Sequence, residues 1–164
     1  MRPSEYLALT WADFDLERGA VSVSKTLEWR AEGWCFEDTK QERSRRMIKL
    51  QNWVLTLLRK LEEGSKPVER KPGDLVFTSN LRGPIHGSKF VRRHFKPLLR
   101  SADLPDVRLY DLRHTAAELA LYAGVSPKIV SEQLGHASVA FTLDVYSHVL
   151  PHMQDTAAMK VERY

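Results

Sequence analysis

The chain has 164 residues, 43% hydrophobic and 28% charged, with a net charge of +4; this is ordinary globular composition and enough chain for one domain with a core. No apolar run is long enough to span a bilayer, and the opening Met1-Arg2-Pro3-Ser4-Glu5 is not the apolar stretch of a secretory leader. The single cysteine, Cys35, excludes an intrachain disulfide and any cysteine-cluster metal site, and a reducing, cytoplasmic setting fits.

Residues 3–11 read as a helix, with Pro3 in the first turn and Tyr6, Leu7 and Leu9 as its apolar positions. Phe14 to Gly19 reads as a turn. Ala20-Val21-Ser22-Val23-Ser24 alternates as a half-buried strand does. Glu32-Gly33 marks a turn, Trp34-Cys35-Phe36 opens a second strand, and Arg46-Met47-Ile48-Lys49-Leu50 alternates again after a polar hairpin. Three antiparallel strands are therefore expected, over about 20–29, 34–40 and 45–50. Trp53, Leu55, Leu57, Leu58 and Leu61 predict a helix over 52–62, followed by a proline-containing loop over 64–73 and a short extended piece at Leu75-Val76-Phe77. Residues 88–100 read as a basic amphipathic helix interrupted near Pro97. Beyond Tyr110 the pattern is helical, over 111–123, 127–134, 138–147 and 151–161, with Gly124 and Gly135 as terminators. The expected fold class is α+β, mostly helical, with a small three-stranded antiparallel sheet packed against a helical bundle.

The mild net charge hides two clusters. Arg43, Arg45, Arg46 and Lys49 form one, and Lys89, Arg92, Arg93, Lys96 and Arg100 the other. Such clusters favour a polyanionic partner, and Arg43, Arg45, Lys89, Arg92 and Arg93 are the candidate DNA-binding residues.

Three stretches near the carboxyl end carry chemistry. Asp111-Leu112-Arg113-His114-Thr115 is followed by Leu134-Gly135-His136, and ten residues after His136 comes Tyr146, within Thr142-Leu143-Asp144-Val145-Tyr146-Ser147-His148-Val149. An arginine fork suits phosphate oxygens, and a phenol is a nucleophile once its proton has an acceptor. These boxes closely resemble the catalytic domain of the tyrosine recombinases, the phage integrase family. Arg2-Pro3-Ser4-Glu5-Tyr6-Leu7-Ala8-Leu9-Thr10-Trp11-Ala12-Asp13 resembles the box of that family's first catalytic arginine, so the likeness runs along the whole chain.

The resemblance implies site-specific cleavage and rejoining of double-stranded DNA through a 3′-phosphotyrosine, with neither metal nor cofactor. Arg2 and Arg113 would clamp the scissile phosphate, Tyr146 attack it and His136 hydrogen-bond it. Lys40, in Asp38-Thr39-Lys40 before the polar hairpin, would protonate the leaving 5′ oxygen. The family usually has a histidine where Tyr110 stands; a tyrosine can donate a hydrogen bond there but cannot carry a positive charge. The resemblance further implies a homo-oligomer on DNA, tetrameric in synapsis, with the tail after Pro151 docked on its own domain or on a neighbour. It also implies that residues 1–164 form a catalytic domain lacking its first helix and the amino-terminal DNA-clamping domain.

Other readings stay open at this level. Ala120, Gly124 and Val130 have helix-turn-helix spacing, which would make the chain a non-catalytic DNA-binding regulator with residues 127–134 in a major groove. A type IB topoisomerase shares the tyrosine and arginine chemistry, and an inactive integrase remnant would keep the fold. His148 and His152 are four apart, but Pro151 falls between them and no metal site is expected.

Overall fold

The computed structural model describes residues 1–38, 45–64, 71–149 and 162. The chain divides into two compact units, Pro3–Phe90 and Met1–Arg2 with Val91–Tyr164.

In the first unit, helix α1 spans only Pro3–Tyr6, shorter than the expected 3–11. The reason is non-local. Trp11 N–H donates to Asp74 O at 3.1 Å and Val76 N–H to Leu9 O at 2.9 Å, and Thr10 bridges Leu75. Backbone engaged in that pairing cannot also continue the helix. Thr10 then opens a tight turn over Trp11–Asp13, its N–H and hydroxyl both donating to Asp13 Oδ2 at 2.8 Å.

Strand β1 (Phe14–Asp15), in the segment expected to be a turn, pairs antiparallel with β2 (Ala20–Val23), which pairs in turn with β5 (Arg46–Lys49). The register sets Phe14 opposite Val21 and Val21 opposite Ile48. Strands β3 (Lys25–Arg30) and β4 (Gly33–Asp38) form a separate hairpin with Leu27 opposite Phe36 and Trp29 opposite Trp34. The expected strand over 20–29 is thus divided at Ser24. Val21 and Val23 point inward from β2; continuing that phase would carry the Lys25 ammonium into the core, which burial penalises. Helix α2 (Asn52–Gly64) buries Leu55 and Leu58. Gly19 makes this packing possible: its φ is +63°, and an added Cβ would lie 3.0 Å from Leu55 Cδ1. Helix α3 (Gly87–Phe90) carries exposed Lys89.

The second unit begins its long segment with a wide π-helical turn over Val91–Phe95, leading into α4 (Lys96–Ser101). Pro97 has no N–H to give the carbonyl four residues earlier, and the wider winding absorbs that gap. Helices α5 (Asp111–Tyr122), α6 (Pro127–Leu134) and α7 (Val139–Val145) follow. Their core is Ala117, Leu121, Val130, Leu134, Tyr146 and Val149. Pro127 starts α6, and Gly135, left-handed at φ +68°, ends it. Ser138 caps α7 by accepting from Phe141 N–H at 3.1 Å. Among the described residues, no helix is long and apolar enough to cross a membrane.

Candidate functional site

Residues three and four apart on a helix share a face. On α5 this rule turns Arg113, Ala117 and Leu121 inward. A buried guanidinium requires fixed partners, and Arg113 Nη2 donates to Leu134 O at 2.6 Å. That carbonyl is the last of α6, so the bond ties the arginine box to Leu134-Gly135-His136. His136 Nδ1 lies 2.8 Å from Thr142 Oγ1, and its ring meets Phe141 edge-on at 4.9 Å. Thr142 is wholly buried, which holds the imidazole by one nitrogen at a fixed angle.

Tyr146 follows α7 directly. Its N–H donates to Thr142 O at 3.1 Å, and the residue is only 1% exposed. Its Oη lies 3.0 Å from His114 Nδ1. Burial pushes the phenol above its ordinary value; the positive charge of Arg113 opposes that rise, while Glu118 and Tyr110 reinforce it. Tyr110 stands just before α5 and is 40% exposed. Its ring meets His114 edge-on at 5.3 Å, and His114 in turn lies 5.9 Å from the Tyr146 ring. Asp111, also at the start of α5, accepts from Arg108 N–H at 2.8 Å and from Arg108 Nη2 at 2.8 Å. These bonds hold the Asp111 carboxyl below the usual carboxylate range and push Arg108 up.

Of the residues expected to form the site, Tyr110, Arg113, His136 and Tyr146 are therefore linked in one unit through Leu134, Thr142 and His114. Arg2 groups with that same unit, not with the segment that follows it in sequence. Lys40, Arg43 and the tail over 151–161 lie outside the described residues, as does His152. His148 meets Glu118, Nε2 to Oε1 3.3 Å. Arg92 and Arg93 are exposed, and Arg45 is exposed beside Asp38 at 3.1 Å. Other members of the basic clusters bind within the chain: Arg46 pairs with Glu5, Lys49 donates to the Arg18 carbonyl, and Lys96 binds Asp106 and the Val107 carbonyl. Helix α6, which the helix-turn-helix reading places in a groove, buries Val130, Ser131 and Leu134 and exposes Lys128, Ile129 and Glu132.

His114 is not among the site residues expected from sequence. The signal available there is its place four residues after Tyr110 and next to Arg113; its contact with Tyr146 spans 32 residues, which no local pattern reveals.

Comparison with known proteins bears on the family and the fold. Residues 1–153 match the model of the phage integrase family. The ICEBs1 integrase of Bacillus subtilis (strain 168) is 29% identical over 167 residues, covering 99% of this chain and 45% of that protein. A XerC-like tyrosine recombinase of Caldanaerobacter subterraneus subsp. tengcongensis is 27% identical, covering 96% and 44%. The Tn1549 transposon integrase, solved in complex with circular intermediate DNA, superposes with a TM-score of 0.79 at 24% identity, over 99% of this chain and 55% of that one. The crystal structure of XerA recombinase gives 0.69 at 24% identity, over 93% and 52%. The chain spans about half the length of these relatives.

Proposed function

The chain belongs to the phage integrase family, and from that membership we propose that it cleaves and rejoins double-stranded DNA as a site-specific recombinase catalytic domain. The observation that carries the reading is the linked set of Arg113, His136 and Tyr146, each fixed by a named neighbour. Charge on the non-bridging phosphate oxygens is met by Arg113 and Arg2, whose planar forks match that geometry. His136 and Tyr110 donate to the same phosphate. The Tyr146 oxygen attacks phosphorus in line, and the bond from phosphorus to the 5′ oxygen breaks. Lys40 supplies the proton to that oxygen. A 3′-phosphotyrosine remains, and a second 5′-hydroxyl reverses the step, so the bond energy is kept in the ester.

The exposed basic residues Arg45, Lys89, Arg92 and Arg93, together with Arg43, contact DNA phosphates in this reading. Recombination between two duplexes calls for a homotetramer on DNA, with the tail after Pro151 packed on its own domain or exchanged between protomers. A cytoplasmic location, with access to DNA, accompanies it.

The test is covalent trapping. A pool of nicked duplexes, randomised around the nick, is incubated with the chain, and denaturant-resistant adducts are recovered and sequenced. Adducts should form and vanish in Tyr146→Phe. Adducts that persist in that variant would remove Tyr146 as the nucleophile.

A further inference from the structure

The contact between His114 and Tyr146 has no part in the roles above. A phenol that attacks phosphorus must lose its proton, and Tyr146 is too buried to hand it directly to bulk water. Among the described residues, the charged and titratable groups around the pair are Tyr110, Asp111, Arg113 and Glu118, all on or beside α5, with Tyr146 itself after α7. Arg113 has no acceptor. Asp111 is bound to Arg108. Glu118 is partly exposed and paired with His148. The Nδ1 of His136 meets Thr142. Tyr110 cannot take on a positive charge. The imidazole of His114 is left, with one nitrogen within hydrogen-bond reach of the reacting oxygen, as a general base requires.

We propose that His114 is the general base for Tyr146, its Nδ1 accepting the phenolic proton as the oxygen attacks phosphorus. This rests on the recombinase reading. The Tyr146 O–H bond breaks and an N–H bond forms at Nδ1, giving an imidazolium. The phosphorus–oxygen bond to Tyr146 forms as the bond to the 5′ oxygen breaks, and an ammonium, that of Lys40, protonates the leaving oxygen. In rejoining, the incoming 5′-hydroxyl gives its proton to the amine, and the imidazolium returns the other to the departing phenolate. The edge-on Tyr110 ring limits where the imidazole can tilt, so the base is held against its partner between two aromatic rings.

Two measurements test this, and the first needs no DNA. Nitrogen-15 spectra of the full chain near neutral pH should show His114 with an unprotonated Nδ1 and a hydrogen on Nε2, and the Nδ1 signal should move in Tyr146→Phe. A hydrogen on Nδ1, or no response to Tyr146→Phe, overturns the proposal. The second is single-turnover adduct formation on the recovered nicked duplex. His114→Asn keeps a polar group near the phenol but cannot hold its proton. It should slow adduct formation by about 10²–10⁴-fold, the usual contribution of such a base, with DNA affinity and melting temperature retained. The acidic limb of the pH–rate profile should disappear, and added imidazole should restore part of the rate in His114→Ala. An unchanged rate in His114→Asn overturns the base while leaving Tyr146 as nucleophile. Absence of any adduct from the unaltered chain overturns the recombinase reading and this inference with it.

Discussion

Glu5 and Arg46 form a two-pronged ion pair, Oε1 to Nη1 3.1 Å and Oε2 to Nη2 2.8 Å, with side chains only 1% and 7% exposed. It joins α1 to β5, 41 residues apart, and draws an arginine out of the basic cluster into the interior. Breaking a buried pair by removing one partner leaves an uncompensated charge and costs about 3–5 kcal/mol. Glu5→Ala should therefore lower the unfolding free energy by that amount in denaturant titration. A drop below about 1 kcal/mol, the range of a surface pair, would show that the pair is solvated in solution.

The bond between His136 and Thr142 gives a second expectation. Thr142→Val keeps the shape of a fully buried side chain and removes only the hydroxyl. Stability should fall by roughly 1 kcal/mol. Adduct formation should slow as His136 loses its fixed angle, whereas Thr142→Ser should behave like the unaltered chain. Equal cleavage rates in all three would confine Thr142 to packing.

Much of the second unit is legible from sequence because its signals are local. Helix α6 spans the expected 127–134 and ends at Gly135, and α5 stops within a residue of its expected end. Where partners are distant, local signals mislead. Residues 9–11 favour helix by periodicity but are taken by residues 74–76. Ser24 looks like mid-strand, yet the strand changes partner there. The same distinction governs the site. Arg113, His136 and Tyr146 announce themselves by their flanking residues, while the His114 contact and the inward turn of Arg46 depend on pairings across 32 and 41 residues.

DNA affinity should depend on exposed Arg92 and Arg93. Phosphate contacts release counterions, so binding should weaken steeply with salt. Replacing both residues by Gln should reduce affinity evenly across DNA sequences and lower the salt slope by about one for each phosphate no longer neutralised. A weakening confined to one sequence in a binding titration would make them base readers instead.

The raised phenol of Tyr146 has a consequence at high pH. The folded chain holds that proton more tightly than the unfolded chain does. The resulting stability is intact below the unfolded value near 10 and is lost as pH rises through the higher folded value. Tyr6, pushed up by burial, acts in the same direction. Unfolding free energy should therefore fall less steeply above about pH 10 in Tyr146→Phe than in the unaltered chain. Parallel curves would mean that the phenol is as accessible folded as unfolded.

Tyr110 stands where the resemblance leads one to expect histidine. It is partly exposed at the start of α5 and its ring meets His114 edge-on; in the recombinase reading its hydroxyl donates to the phosphate. Tyr110→Phe keeps the brace and removes the donor. One missing donor to a phosphate in the transition state is worth about 2.7–4 kcal/mol, a hundred- to a thousandfold in rate. Tyr110→His restores a donor that also exchanges protons near neutrality, and should match or exceed the unaltered chain. Single-turnover cleavage of the two variants, with melting temperatures alongside, separates the roles. A slow Phe variant with unchanged melting places the hydroxyl on the phosphate. A Phe variant as fast as the unaltered chain would reduce Tyr110 to the ring that braces His114. Arg2, Lys40, Arg113, His136 and Tyr146 would then act on the phosphate without it.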